Sequence, residues 1–189
     1  MTREEIASYL AGKLGADKIA PLTGKPDAFC VVQTAALLEC AQLLRDDEAL
    51  RFDDLNSVTG IDYLKDQKIR VTYHFWSYEK RHDFILKVEL NRDTPSVESL
   101  VPLWHSADWL EREQYDLLGV KFEHHPDLRR VLLPDDWVGH PHRKDYAEHG
   151  GYHNISNTRE SPLDGFVRLD SLKKAQSEPA AAPAEPTKH

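Results

Sequence analysis

Two neighbouring segments constrain the fold more than anything else in the chain. In "IRVTYHFWSY" (69–78) Ile69, Val71, Tyr73 and Phe75 fall on one face, and Arg70, Thr72, His74 and Trp76 on the other. In "DFILKVEL" (83–90) Phe84, Leu86, Val88 and Leu90 alternate with Asp83, Ile85, Lys87 and Glu89. A period of two marks strands with one buried side. The connection "SYEKRH" is short enough for a hairpin, so the pair should be antiparallel. A hairpin with one apolar face cannot stand alone; something must cover that face.

The cover is written on either side of it. "TREE" is a capping box in which Thr2 accepts from the helix amides and Glu5 reaches back, and Ile6, Leu10 and Leu14 follow at helical spacing up to Gly15. Residues 16–28, with Pro21, Gly24 and Pro26, read as loop, and "AFCVVQ" (28–33) as a short apolar strand. Thr34 is placed to cap a second helix whose Leu37, Cys40, Ala41 and Leu44 share a face. "FDDLNSVTGIDY" (52–63) reads as a strand weakened by Asp53, Asp54 and Gly60. From Ser96 to Leu118 the spacing turns helical, broken near Pro102, with Gly119 as a left-handed stop. The expectation is an α+β domain over 1–120, with helices packed on one face of a small mixed or antiparallel sheet. An irregular docking extension over 121–170 follows, and "SLKKAQSEPAAAPAEPTKH" from Ser171 should be a disordered Ala/Pro-rich tail.

Several kinds of chemistry are excluded. The net charge is −8 and no basic stripe forms, which argues against nucleic-acid binding. Apolar runs are too short to span a bilayer, and "MTREEIASYL" has no apolar core of a signal peptide. The two cysteines, Cys30 and Cys40, read as reduced thiols and are too few to ligate an iron–sulfur cluster. No glycine pattern fits a dinucleotide or phosphate loop, and neither a zinc-protease motif nor a nucleophile elbow occurs. His124, His125, His140, His142, His149 and His153 crowd into thirty residues, but Gly150 and Gly151 oppose a helix that would align the last two on a metal.

Two stretches remain. "EREQYDLLG" (111–119) places Arg112 and Asp116 at i, i+4 and Glu111 near Tyr115; its acids could serve acid–base chemistry, but such a helix is more simply a solvated face. "HPDLRRVLLPDDWVGHPHRKDY" (125–146) is too proline-broken for a long helix or central strand. Pro126 suits the start of a short helix, with Asp127 in its first turn and Arg129 and Arg130 towards its end. A ribbon with few backbone ladders must lie on something. Arg129, Arg130 and Arg143 offer planar forks, and Trp137 and Tyr146 are anchor-type side chains. The ribbon either docks on a partner or wraps its own domain.

These residues resemble the C subunit of respiratory complex I, the proton-pumping NADH:quinone oxidoreductase. The family signature is met at Glu111-Arg112-Glu113, Asp116, Leu117-Leu118, His125, Arg129 and Val131-Leu132. "LLPDDWVGHPHRKDY" resembles its continuation, ending in "G-x-P-L-R-K-D-aromatic", with His142 in place of the usual leucine. The likeness runs over roughly 30–146. It implies a peripheral subunit with no redox centre of its own, the FMN and iron–sulfur clusters being held by partner subunits. It implies packing against the D subunit beside the quinone cavity, with the B, I and G subunits as neighbours, on the cytoplasmic side of a bacterial inner membrane. Glu111, Arg112, Glu113 and Asp116 would organise the helix end. Arg129, Arg130, Arg143, Lys144 and Asp145 would hold the neighbour. A related membrane-bound hydrogenase or chloroplast-type complex shares this subunit, and a stand-alone histidine-dependent metal hydrolase is the reading from a different class.

Overall fold

The computed structural model describes residues 1–15, 17–20, 23, 28–153 and 155–156. Met1–Ala147 form one compact unit and Glu148–His189 a second. In the second, the described residues form a short antiparallel hairpin. The expected tail from Ser171 lies outside the described residues.

The alternating segments become β3 (Lys68–Ser77) and β4 (His82–Asn91), paired antiparallel. Their register sets Ile69 opposite Leu90, Val71 opposite Val88, Tyr73 opposite Leu86 and Phe75 opposite Phe84, so the apolar residues meet on one face. β2 (Asp54–Tyr63) lies antiparallel to β3, and β1 (Cys30–Val32) parallel to β4, giving the mixed order β1-β4-β3-β2. A bulge between Leu55 and Ser57 shifts the phase of β2. Leu55 and Val58 are therefore both buried although three residues apart, which is why this strand alternates poorly in sequence.

Helix α1 (Arg3–Leu14) starts from the expected capping box and buries Ile6, Leu10 and Leu14. Helix α2 (Leu37–Asp46) buries Leu37, Cys40, Ala41 and Leu44. Thr34 does not cap it: Thr34–Ala36 form a 3-10 turn, and the Thr34 hydroxyl donates to Glu89 O at 3.5 Å. All these side chains join one core with Trp104, Ala107 and Leu118 of the third helical region. Cys30 and Cys40 are free and buried, which pushes their thiols up to about 11 and about 12.

The segment from Ser96 departs from the helical expectation. β5 (Ser96–Glu98) is a strand paired parallel with β6 (Lys121–Glu123), and turns follow until helix α3 begins at Ala107 and runs to Leu118. Three residues are too few for a period to register, and the partner strand lies 25 positions on. Gly119 ends α3 at φ +75, as expected.

Helix α3 closes the free edge of β2. The Gln114 carboxamide accepts from Gly60 N at 2.8 Å and donates to Val58 O at 3.0 Å, occupying two backbone groups that an edge strand would otherwise expose. The approach leaves no room for a side chain at Gly60, where a Cβ would collide with Leu118 Cδ1 and lie 2.9 Å from Gln114 Oε1. Gly60→Ala should therefore destabilise the chain by roughly 1–3 kcal/mol, as overpacking does. Urea unfolding would check it, and an unchanged midpoint would mean that α3 is not seated on this edge.

Candidate functional site

Helix α3 carries the "ERE" motif, and its inward stripe is polar where a plain amphipathic helix would be apolar. Ala107, Glu111, Gln114 and Leu118 recur at i, i+4, i+7 and i+11, and all four are buried. Glu111 is fully buried, not beside Tyr115 as a surface pair. Its carboxyl accepts from Ser99 Oγ at 2.6 Å and Leu100 N at 2.7 Å, tying the helix to the turn that precedes it. Burial outweighs these two bonds, and with the Asp108 charge beside it lifts the Glu111 carboxyl to about 7. Tyr73, whose buried hydroxyl makes no hydrogen bond among the described residues, is raised well above its ordinary value by burial and by Glu111. Glu113 is half-exposed and its carboxylate makes no bond among the described residues.

Arg112 and Asp116 are not partners. Arg112 lies 3.6 Å from Asp108, donates from Nε to Arg129 O at 3.4 Å and stacks its guanidinium over Trp109. Asp116 turns to the ribbon. One oxygen accepts from Arg130 at 2.7 Å; the other accepts the backbone N–H groups of Val131, Leu132 and Leu133 at 3.1, 2.8 and 2.9 Å. Burial alone would raise this carboxyl, but the three amides and Arg130 outweigh it and hold it below its ordinary value. Here the short helix expected at Pro126 is replaced by a turn at Pro126–Asp127, and a bend over 131–133 aims three consecutive amides at one carboxylate.

The second half of the ribbon caps α3. A helix end leaves its last carbonyls without intrahelical donors. Tyr115 O accepts from Gly119 N at 2.9 Å; Asp116 O from His140 Nδ1 at 2.9 Å; Leu117 O from His142 N at 3.0 Å; Leu118 O from Arg143 Nε at 2.8 Å. A carbonyl only accepts, so His140 carries its proton on Nδ1. His125 is fixed in the opposite sense. Its buried ring accepts from Asp127 N on Nδ1 at 3.1 Å, so the proton sits on Nε2, 3.3 Å from Asp108 O. Beyond Arg143, the Lys144 backbone N–H and the Arg92 guanidinium both bind Asp62, and Arg92 also binds Asp145. Arg92 and the Lys144 amide keep the Asp62 carboxyl below its usual range despite burial.

The ribbon is thus a strap sewn to its own domain by Arg130, His140, His142, Arg143, Lys144 and Asp145. Its inward contacts include these polar groups and Leu128, which packs against the core. Outward lie Leu132 and Val138, 60% and 66% exposed, with Trp109 of α3 at 63% and the guanidinium of Arg129, which pairs with Asp127. Trp137 is half-buried. Among the described residues no group of three or more His, Cys, Asp or Glu is placed to hold a metal ion, and no helix is long and apolar enough to cross a membrane. Sequence reasoning missed Gln114, Asp62, Arg92 and Ser99. For Gln114 a signal existed in its i+7 spacing from Ala107; for the Asp62–Arg92 pair none did, since thirty residues separate them.

Two substitutions test this geometry. Asp116→Ala removes the anion from four donors and should cost about 3–5 kcal/mol, with amides 131–133 losing protection in hydrogen exchange ahead of the sheet. Glu111→Gln keeps a neutral acceptor and donor in place. Because the folded-state pKa of Glu111 lies above its ordinary value, folding takes up a proton. That stabilisation is complete below about pH 4.5 and lost as pH rises through about 7. Glu111→Gln should match the parent near pH 4.5 and exceed it at pH 8 by on the order of 3 kcal/mol in urea unfolding; parallel pH profiles would contradict the assignment.

The stretch that includes the strap and α3 is similar to known proteins. The family model for the respiratory-chain NADH dehydrogenase, 30 Kd subunit, matches residues 30–152. A relative from Chloroherpeton thalassium, named as the C subunit of NADH-quinone oxidoreductase, is 40% identical over 142 residues, covering 74% of this chain and 59% of the relative. The chain therefore spans about three fifths of that protein's length. A relative of the same name from Citrifermentans bemidjiense is 45% identical over 120 residues, covering 63% of this chain and 73% of its own. Among solved structures, a trypsin-resistant fragment of Nqo5 superposes with TM-score 0.55 at 26% identity, covering 68% of this chain and all of that one. A chain of the archaeal membrane-bound sulfane sulfur reductase shares the fold, with TM-score 0.65 at 19% identity over 98% of both chains. The chain belongs to the family of the 30 Kd subunit of the respiratory-chain NADH dehydrogenase.

Proposed function

We propose that this chain is a non-redox subunit of the peripheral arm of a proton-translocating NADH:quinone oxidoreductase. In this reading electrons pass from NADH through FMN and iron–sulfur clusters in other subunits to quinone. The chain supports assembly and braces the D subunit, which shapes the quinone site, with the B, I and G subunits nearby. It reaches the membrane only through the complex, on the cytoplasmic side of a bacterial inner membrane. The names carried by the relatives favour this reading over a related membrane complex; the archaeal sulfane sulfur reductase shares the fold alone.

The observation that carries the docking role is the strap's division of labour. Its backbone amides and the Arg130, His140 and Arg143 side chains bind inward to Asp116 and the α3 carbonyls, while Leu132, Val138 and Trp109 are held outward on that support. A pre-ordered strap loses little conformational entropy on docking. Arg129 and Trp137 would join the contact, and Arg130 would serve it indirectly by fixing the strap. The double variant Leu132→Ser, Val138→Ser changes only exposed side chains and leaves the Leu132 backbone N–H on Asp116, so the isolated chain should keep its stability within about 0.5 kcal/mol. Two apolar interface anchors truncated to serine cost about 2 kcal/mol each where they are fully buried in the complex. Assembled complex should fall several-fold on native gels, with the quinone KM of what does assemble unchanged. Normal abundance would sink the docking reading.

A further inference from the structure

A groove of about 470 Å³ lies between β2 and the end of the strap, lined by Gly60, Ile61 and Asp62 on one side and Pro141, His142, Arg143 and Lys144 on the other. Its three basic residues share a property. Each is fixed in place by an atom other than the outer end of its side chain: His142 and Lys144 by their backbone N–H groups, Arg143 by Nε. Among the described residues the His142 ring, the two terminal nitrogens of Arg143 and the Lys144 ammonium make no hydrogen bond or ion pair. The acids beside them are already engaged. Asp62 is bonded by Arg92 and by the Lys144 amide, and Asp145 by Arg92. Two carboxylates against three cations leave this corner at +1, before any charge on His142, in a chain of net charge −8.

We propose that this groove receives a carboxylate-bearing segment of a neighbouring subunit. The inference rests on the docking reading and adds the chemistry of the partner. The free end of the Arg143 fork presents two parallel N–H donors, a geometry matched by a carboxylate's two oxygens. The Lys144 ammonium stands beside it as a point charge. Because Arg143 is held at Leu118 O and the Lys144 backbone at Asp62, the pair is positioned before the partner arrives, and little order remains to be lost. Opposite charge on a partner also speeds its approach to a chain that elsewhere repels acidic surfaces.

The test uses the assembled complex. A carbodiimide joins an amine to a carboxylate only when the two are in contact, so treatment followed by peptide mass spectrometry should link Lys144 to an Asp or Glu of another subunit. Lys144→Arg, which keeps the charge but cannot form the amide, should lose the link and assemble normally. Lys144→Glu should release this chain from the complex at lower ionic strength than the parent, while the isolated chain folds unchanged. Links from Lys144 only to acids of its own chain, with Lys144→Glu as salt-resistant as the parent, would overturn the proposal. The same pattern with Leu132 and Val138 still required for assembly would overturn the groove's role alone; assembly indifferent to both sites would overturn the docking reading with it.

Discussion

Everything distinctive in this molecule leans on one buried carboxylate. Asp116 collects three consecutive backbone N–H groups and a guanidinium from a stretch of chain that has no ladder of its own. An unpaired charge in that position would be costly; surrounded by four donors it becomes the point from which the strap is laid out. The dependence is mutual. The carbonyls of Asp116, Leu117 and Leu118 would be orphans at the end of α3, and the strap's His140, His142 and Arg143 supply their donors. Two cationic side chains, Arg130 and Arg143, also sit at the negative end of the helix dipole. Neither the strap nor the last turn of the helix is complete without the other.

This reciprocity bears on how such a chain can serve a larger assembly. A ribbon that ordered only on meeting its partner would lose the entropy of more than twenty residues at that moment. Here that cost is met during folding, by contacts internal to one chain. What faces outward is accordingly simple: a few apolar side chains, a tryptophan stacked on Arg112, and the tips of basic residues whose other atoms are already committed. The same guanidinium can serve both purposes, as Arg143 does with Nε turned to Leu118 O and its terminal nitrogens turned away.

The hairpin, α1 with its capping box, α2 and the glycine stop of α3 were legible because each is specified by neighbours within one or two turns of chain. β5 was not, since its parallel partner β6 lies beyond the whole of α3 and three residues carry no period. The site was legible as a place but not as a geometry. Residue spacing put Arg112 opposite Asp116, and in an isolated helix they would meet; the strap's amides and Arg130 offer Asp116 more, and no helical periodicity encodes the return of a distant ribbon. The buried state of Glu111 could have been inferred from its stripe with Ala107 and Leu118, had the polar residues in that stripe been weighed as part of the core.

Two of the motif's three acids, Glu111 and Asp116, are driven in opposite directions. Glu111 has two donors and full burial and is pushed up to about 7; Asp116 has four donors and is held ionised. Split carboxylates of this kind often divide acid and base roles in an active site. That reading requires both to reach a common substrate. Glu111 is sealed behind Ser99, Leu100 and the His125 ring, and the oxygens of Asp116 are taken by the strap. The splitting is instead a record of structure. An acid near neutrality can stay buried with two hydrogen bonds because it can shed its charge, whereas the one that must organise a cationic, amide-rich strap has to keep it.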